Sequence, residues 1–382
     1  MSAPIIAPGS TIGMLGGGQL GRMIVQEGSK MGYRFITLDP TVDSPMGQLC
    51  EQIIAPYYDK EAAQQLAKQA DVITYEFENV DAEVAAMLMK ESYVPQGSEL
   101  LFTTQHRLRE KAAIEAAGAV VAPYKQVSSV AELSAAVKQF GTPCVLKTAT
   151  GGYDGKGQWV IRDEAEIEQA YETVAKSGVE LVVEKFIAFE KEISVIAARS
   201  TQGEIKVFPV AENIHVNNIL HLSIVPANIS EQMRKQAEQL ATAIAEKLQV
   251  IGLIAVEMFA CANGELYVNE LAPRPHNSGH YTTDACRTSQ FEQHIRAVCG
   301  LPLGDTTLMT PVVMVNVLGQ HMEPLIAHMC QPDAAAQQLA VTPKLHLYGK
   351  QEAAMNRKMG HVNVIGASTD AALEWIAQTA LW

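Results

Sequence analysis

The sequence predicts an α/β region at the N-terminus joined to a longer α+β region, and three observations predict it. The first hundred residues alternate short apolar runs with amphipathic stretches, the pattern of a parallel sheet with helices on both faces. From about residue 180 the chain becomes mostly strands, interrupted by one long helix-like stretch at 229–249, which suits a largely antiparallel sheet. With 382 residues, 48% of them hydrophobic and 19% charged, the chain can bury two or three separate cores.

Taken in order, TIGMLGG at 11–17 reads as a buried strand, 19–32 as a helix and 33–39 as the next strand, together a βαβ unit. A helix at 59–70, a strand at 71–77 and a helix at 81–90 continue it. The first domain is expected to span 1–105. A second, 106–300, begins with helices at 107–118 and 130–141 and a strand at 142–148, then carries strands at 181–187, 192–200 and 204–215. The 229–249 helix leads to two more strands at 253–261 and 265–272. A small third domain, 301–382, holds strands near 312–319, 344–350 and 361–366 and a closing helix at 369–381.

The formal charge of −13 argues against nucleic-acid or membrane-surface binding, which needs a basic face. It leaves room for a small phosphorylated ligand held by local cations. The six cysteines, at 50, 144, 261, 286, 299 and 330, form no CxxC pair, so reduced thiols in a cytoplasmic protein are expected. The first residues lack a secretory n-region and no apolar run reaches the ~20 residues of a membrane span.

Two glycine clusters carry chemistry. Gly16-Gly17-Gly18-Gln19-Leu20-Gly21 fits GxGxxG between a strand and a helix, with Asp39 ending the next strand. Three readings stand: a dinucleotide site, a tight turn that needs glycine, or a pocket for a phosphate ester. The second cluster, Gly151 to Gln158, has four glycines in eight residues and lies between strands. A flap closing over a triphosphate fits it, with Lys156 and the loop amides meeting phosphate oxygens and Lys147 adding a fixed cation. A plain hairpin with an exposed tip is the alternative.

Paired carboxylates are the strongest signal. Asn263-Gly264 between two apolar runs predicts a two-residue type I′ hairpin, which sets Glu257 opposite Glu270 with Cβ atoms roughly 4.5–5.5 Å apart. Like charges facing each other destabilise a hairpin unless a cation joins them. Mg²⁺ bridged to nucleotide phosphate is the expected solution, with Asn269 adding a neutral oxygen. Two glutamates on an exposed strand face are the alternative. Just after Glu270, prolines flank Arg274 and stiffen the backbone that presents its planar fork to a bicarbonate or acyl phosphate.

GGYDGKGQ, then EMF…NELAPRPHNSGH, then YGK…RKMGHVN resemble the 5-(carboxyamino)imidazole ribonucleotide synthetase family of ATP-grasp enzymes, from bacterial purine biosynthesis. The resemblance runs in order through nearly the whole chain, with GGGQLGRM and YEFENV at its start. It implies a Rossmann-like N-terminal domain that helps hold a ribonucleotide rather than NAD, a central ATP-grasp fold and a small C-terminal domain. It implies ATP contacts at Arg107, Lys147, Gly152, Tyr153, Asp154, Gly155, Lys156, Gly157, Gln158, Glu184, Lys185, Phe186, Ile187, Glu192, His215, Asn269 and Glu270. Mg²⁺ would lie on Glu257 and Glu270. The substrate, 5-aminoimidazole ribonucleotide, would meet Gln19, Glu76, Tyr153, Asp154, Arg274, His276, Lys350 and Arg357, the last two at its 5′-phosphate.

The implied reaction is ATP-dependent carboxylation with bicarbonate through carboxyphosphate, with Lys147, Asp154 and Arg274 as the catalytic groups and a homodimer as the usual assembly. Three other readings compete. They are a formate-dependent glycinamide ribonucleotide transformylase, an NAD-dependent oxidoreductase built on Gly16–Gly21, and a nucleotide-binding regulator without catalysis.

Overall fold

The computed structural model describes residues 3–78, 80–151 and 157–382. Its first sheet has four parallel strands in the order Glu51–Ile53, Arg34–Leu38, Thr11–Leu15, Val72–Tyr75. Helix Gln19–Lys30 covers one face and Lys60–Gln69 and Ala82–Glu91 the other. Asp59 and Asp81 start the last two, each accepting bonds from two backbone N–H groups of the first turn, which satisfies donors with no partner inside the helix. The short strand Glu51–Ile53, at the sheet edge, lacked the apolar run that would reveal it.

A four-stranded antiparallel sheet follows, in the order Tyr124–Val127, Leu181–Lys185, Cys144–Thr148, Gln158–Ile161. Helices Val130–Phe140 and Ile167–Ala175 bury their apolar sides on it. The glycine-rich stretch joins its last two strands. Gly152, Tyr153, Asp154, Gly155 and Lys156 lie outside the described residues.

The third sheet has nine strands and is antiparallel throughout. Its order is Leu266–Ala272, Gly252–Ala260, Lys191–Arg199, Ala211–Val216, Ile219–Val225, Val312–Leu318, Lys358–Gly366, Val341–Leu347, with Ile205–Val207 paired to Lys191–Arg199. Helix Glu231–Lys247 packs across the first half and helix Thr369–Thr379 across the second, where Trp375 is buried. The ladder between Ile219–Val225 and Val312–Leu318 carries the tail on the same sheet. Helix Gln290–Val298, absent from the sequence reading, packs Phe291, Ile295 and Val298 into the core of the first sheet. It thereby fixes the first sheet against the third.

Two hairpins differ from expectation. Strand Ile219–Val225 was not anticipated, yet Asn217 and Asn218 both take positive φ, 52° and 62°, between the paired residues Val216 and Ile219. That is a two-residue type I′ turn, for which asparagine is suited. At Asn263-Gly264, by contrast, the loop has three residues. Cys261 N–H donates to Glu265 O at 3.0 Å, and Gly264 alone supplies the left-handed φ of 86°. The predicted two-residue turn is therefore wrong. Among the described residues no helix is long and apolar enough to cross a membrane.

Candidate active site

The three sheets converge on one cleft of about 650 Å³. Its wall nearest the first sheet is built by the first glycine cluster. Glu76, at the end of strand Val72–Tyr75, turns its carboxylate onto the start of helix Gln19–Lys30. There it accepts bonds from Gly18 N–H and, at 2.6 Å, from Gly21 N–H. Asp39 accepts from Gly17 N–H at 2.7 Å and from the Tyr57 hydroxyl at 2.6 Å. The amides that would hold a dinucleotide pyrophosphate are taken by the protein's own carboxylates, which removes the dinucleotide reading. A Cβ on Gly18 would stand 2.5 Å from Glu76 Oε1, so a larger residue there would push that carboxylate off the amides it holds. Burial raises the Glu76 pKa, and the two amides pull against it.

Glu257 and Glu270 are register partners, as the sequence predicted, but by a different route. Near the turn the pairs are Ala260–Leu266, Phe259–Tyr267 and Met258–Val268, one residue off the expected register, and an irregularity before Glu257 restores the Glu257–Glu270 pair. Asn269 is the extra residue of this bulge. The bulge breaks the alternation, so Asn269 and Glu270 both reach the cleft together with Glu257. Each carboxylate has its own partner: His276 Nε2 lies 2.9 Å from Glu257, and Arg107 Nη1 lies 3.6 Å from Glu270. Burial would raise the Glu257 pKa, but the His276 imidazole, with His215 and Arg274 beyond it, holds the carboxyl well below the usual range. The Glu270 side chain keeps 44% of its surface exposed. Two carboxylates and an amide oxygen are hard donors too few to enclose a cation, which is what Mg²⁺ accepts when phosphate oxygens complete its shell. The donor set fits Mg²⁺.

The opposite wall comes from the four-stranded sheet. Lys147 Nζ is 3.0 Å from one oxygen of Glu184 and Lys111 Nζ is 3.2 Å from the other. Burial works against the Glu184 charge, yet the two lysines hold its pKa at about 2. Beyond Glu184 the backbone of Lys185–Ile187 edges a slot lined by Val145, Val160, Leu220 and Phe259. Phe189 stacks on Phe259 with ring centroids 4.5 Å apart. His215 Nδ1 sits 3.2 Å from Glu192 at its mouth. An apolar slot with a carboxylate at the rim suits a flat heteroaromatic base bearing a sugar.

Arg274, between its prolines, is gripped by both oxygens of Glu78 through Nε and Nη2, and Nη1 donates to Pro275 O at 3.2 Å. Lys350 Nζ donates to Lys358 O at 2.8 Å and stands over the Tyr348 ring; Arg357 Nη1 donates to Glu352 O at 3.1 Å. Burial first, then Arg357 and Lys358, push the Lys350 pKa down to about 8. Such a crowd of cations suits an anion.

Of the residues singled out from sequence, Gln19, Glu76, Arg107, Lys147, Gln158, Glu184, Lys185, Phe186, Ile187, Glu192, His215, Glu257, Asn269, Glu270, Arg274 and His276 all line this one cleft. Gly157, Lys350 and Arg357 do not line it, although Lys358 does. The sequence reading missed Glu78, Glu110, Lys111 and Lys358. A signal existed for two of them: Glu110 and Lys111 follow Arg107 by three and four residues on one helix, the spacing that shares a face.

A nucleotide-sized cleft between an antiparallel α+β lobe and a second, larger sheet bearing paired carboxylates defines the ATP-grasp class. Family models agree. An ATP-grasp domain matches residues 112–291, a ribonucleotide synthetase preATP-grasp domain matches 10–105, and a phosphoribosylaminoimidazole carboxylase C-terminal domain matches 312–374. The N5-carboxyaminoimidazole ribonucleotide synthase of Bacillus subtilis (strain 168) is 50% identical over 379 residues, 99% of this chain and 96% of that protein. The chain belongs to the N5-carboxyaminoimidazole ribonucleotide synthase family.

Solved structures are similar throughout. An ADP complex of an N5-carboxyaminoimidazole ribonucleotide synthetase superposes with a TM-score of 0.94 at 53% identity, covering 100% of this chain and 98% of that one. The N5-carboxyaminoimidazole synthase of Aspergillus clavatus, in complex with ADP and 5-aminoimidazole ribonucleotide, gives 0.88 at 29% identity, with 97% of both chains covered.

Proposed function

We propose that this protein carboxylates 5-aminoimidazole ribonucleotide with bicarbonate at the expense of ATP, giving 5-(carboxyamino)imidazole ribonucleotide, ADP and phosphate in purine biosynthesis. One observation carries the reading: a single cleft is lined by a base-sized slot, Lys147, the facing carboxylates Glu257 and Glu270, the arginine clamped by Glu78, and Lys358. These are the parts needed for nucleotide, metal, bicarbonate and a sugar phosphate.

Adenine fills the slot against Phe259 and the Lys185–Ile187 backbone, with Glu192 at the ribose hydroxyls. Lys147 meets the phosphates and Arg107 stands beside them. Glu257 and Glu270, with Asn269 adjacent, would hold Mg²⁺, which would supply charge neutralisation at the phosphate oxygens. A bicarbonate oxygen attacks the γ-phosphorus as the bond to ADP breaks, and Lys147 and Arg107 stabilise the charge that develops. Arg274, fixed by Glu78, orients the bicarbonate and then the carboxyphosphate. The exocyclic amine of the aminoimidazole takes the carboxyl carbon; phosphate departs and the amine gives up a proton, with Asp154 the group proposed to position the amine or accept that proton. Lys350, Arg357 and Lys358 hold the 5′-phosphate. The protein works as a cytoplasmic homodimer, with domains at 1–105, 106–300 and 301–382.

The test is ADP production with bicarbonate, with and without aminoimidazole ribonucleotide. The expected result is ADP and carboxylated product in equal amounts when all three substrates are present. Formation of ADP that is indifferent to bicarbonate contradicts the reading. The cationic corner is tested separately. Arg357→Ala is expected to raise the ribonucleotide KM by about tenfold, the worth of one charge-assisted contact, and to leave the ATP KM alone. Because the Lys350 pKa is lowered to about 8, its charge is complete below that pH and is lost above it. The ribonucleotide KM should therefore climb as pH rises from about 8 towards 10, and the climb should vanish in Lys350→Arg, whose charge persists. A KM flat across this range in the unaltered protein would remove Lys350 from the site.

A further inference from the structure

Lys111 is a buried cation with no part in the reaction just described. Its side chain is 1% exposed and does not line the cleft. Its ammonium sits 3.2 Å from Glu184 Oε1 and 5.6 Å from the centre of the Tyr124 ring. Burying a lysine costs several kcal/mol even after relaxation, and an apolar side chain in the middle of this helix would avoid that. Glu184 does not need it for company, since Lys147 already occupies its other oxygen at 3.0 Å.

The arithmetic of charge supplies a use. Glu184 with Lys147 alone would be a neutral pair, only 4% and 12% exposed. An arriving phosphate would then have to pull Lys147 from its carboxylate and leave that carboxylate buried and unpaired, the most costly outcome for an ion pair. With Lys111 on the far oxygen, Glu184 stays neutralised while Lys147 turns to the anion, and the group as a whole carries one positive charge towards the cleft. The low pKa of Glu184 agrees with a carboxylate that stays ionised with two cations around it.

We propose that Lys111 is a positioning residue which neutralises Glu184 from behind, so that the Lys147 ammonium remains available to the phosphate oxygens of a bound nucleotide. The inference rests on the nucleotide reading of the cleft.

A double-mutant cycle tests it, with ADP as the probe and calorimetric titration as the readout. Lys111→Met is expected to raise the ADP dissociation constant about tenfold, the size of one close charge coupling. In a Glu184→Gln background, where there is no carboxylate to neutralise, the same substitution should change it less than about twofold. Because the cycle compares Lys111→Met within each background, any direct contact of Glu184 with the nucleotide cancels. An equal loss in both backgrounds would mean that Lys111 only supports the helix, and no loss in the unaltered background would mean that Lys147 needs no help; either overturns the inference. If Lys111→Met lacks a cooperative melt, Lys111→Gln, which keeps a donor but no charge, replaces it in the cycle. Failure of the unaltered protein to bind ADP would instead overturn the nucleotide reading, a separate and visible result.

Discussion

Glu270→Gln is expected to lower ADP formation by about 10²–10³-fold, the loss seen when one preorganised electrostatic partner of a transition state is removed. Glutamine keeps the shape and one oxygen but not the charge. The fold should survive. The Glu270 side chain is 44% exposed and its ion pair with Arg107 spans 3.6 Å, so its share of stability is at most about 1 kcal/mol. A thermal melt alongside the rate assay separates the two effects, and a magnesium titration should show a higher requirement in the variant. Near-normal turnover at ordinary magnesium would remove the metal from this pair of carboxylates.

Arg274→Lys is expected to act differently. The guanidinium meets both oxygens of Glu78 through two nitrogens, a geometry that an ammonium cannot reproduce. The charge stays, so Glu78 is not abandoned, but the plane that orients bicarbonate and carboxyphosphate is lost. Product formation should fall about 10²-fold, the usual cost of a misplaced reacting group. ADP formation should fall less, so that ATP is hydrolysed without carboxylation. The measurement is the ratio of ADP to carboxylated product. A ratio that stays at unity at near-normal rate would place Arg274 away from the carboxyl group.

How far the sequence reached differs from part to part. The parallel first sheet was legible because Thr11–Leu15, Arg34–Leu38 and Val72–Tyr75 are buried runs separated by helices with regular apolar spacing. Glu257 and Glu270 were paired correctly through two offsetting errors. The loop has one residue more than a type I′ turn, and the Asn269 bulge returns the register. Neither is visible in hydrophobic alternation, which reports faces and not loop length. Strand Ile219–Val225 was hidden by its polar neighbours, although Asn217-Asn218 carried the turn signal.

What the sequence could not show is the occupancy of donors and charges by distant partners. Glu76 on the Gly18 and Gly21 amides, Glu78 on Arg274, and Lys111 on Glu184 join residues far apart in the chain, and no periodicity encodes them. The glycine fingerprint misled for that reason: its backbone is as expected, but a carboxylate already sits where a cofactor phosphate would.

The shared third sheet has a consequence for how the chain tolerates shortening. Strand Ile219–Val225 has Ala211–Val216 on one side and Val312–Leu318 on the other. A fragment ending before Val312 would leave alternate amides and carbonyls between Leu222 and Val225 without partners along an open apolar border, with Leu222 and Ile224 uncovered. Such a border templates pairing with another copy. The tail is thus a seal against self-association as well as a holder of Lys358, and a piece cut there would precipitate before its chemistry could be assayed.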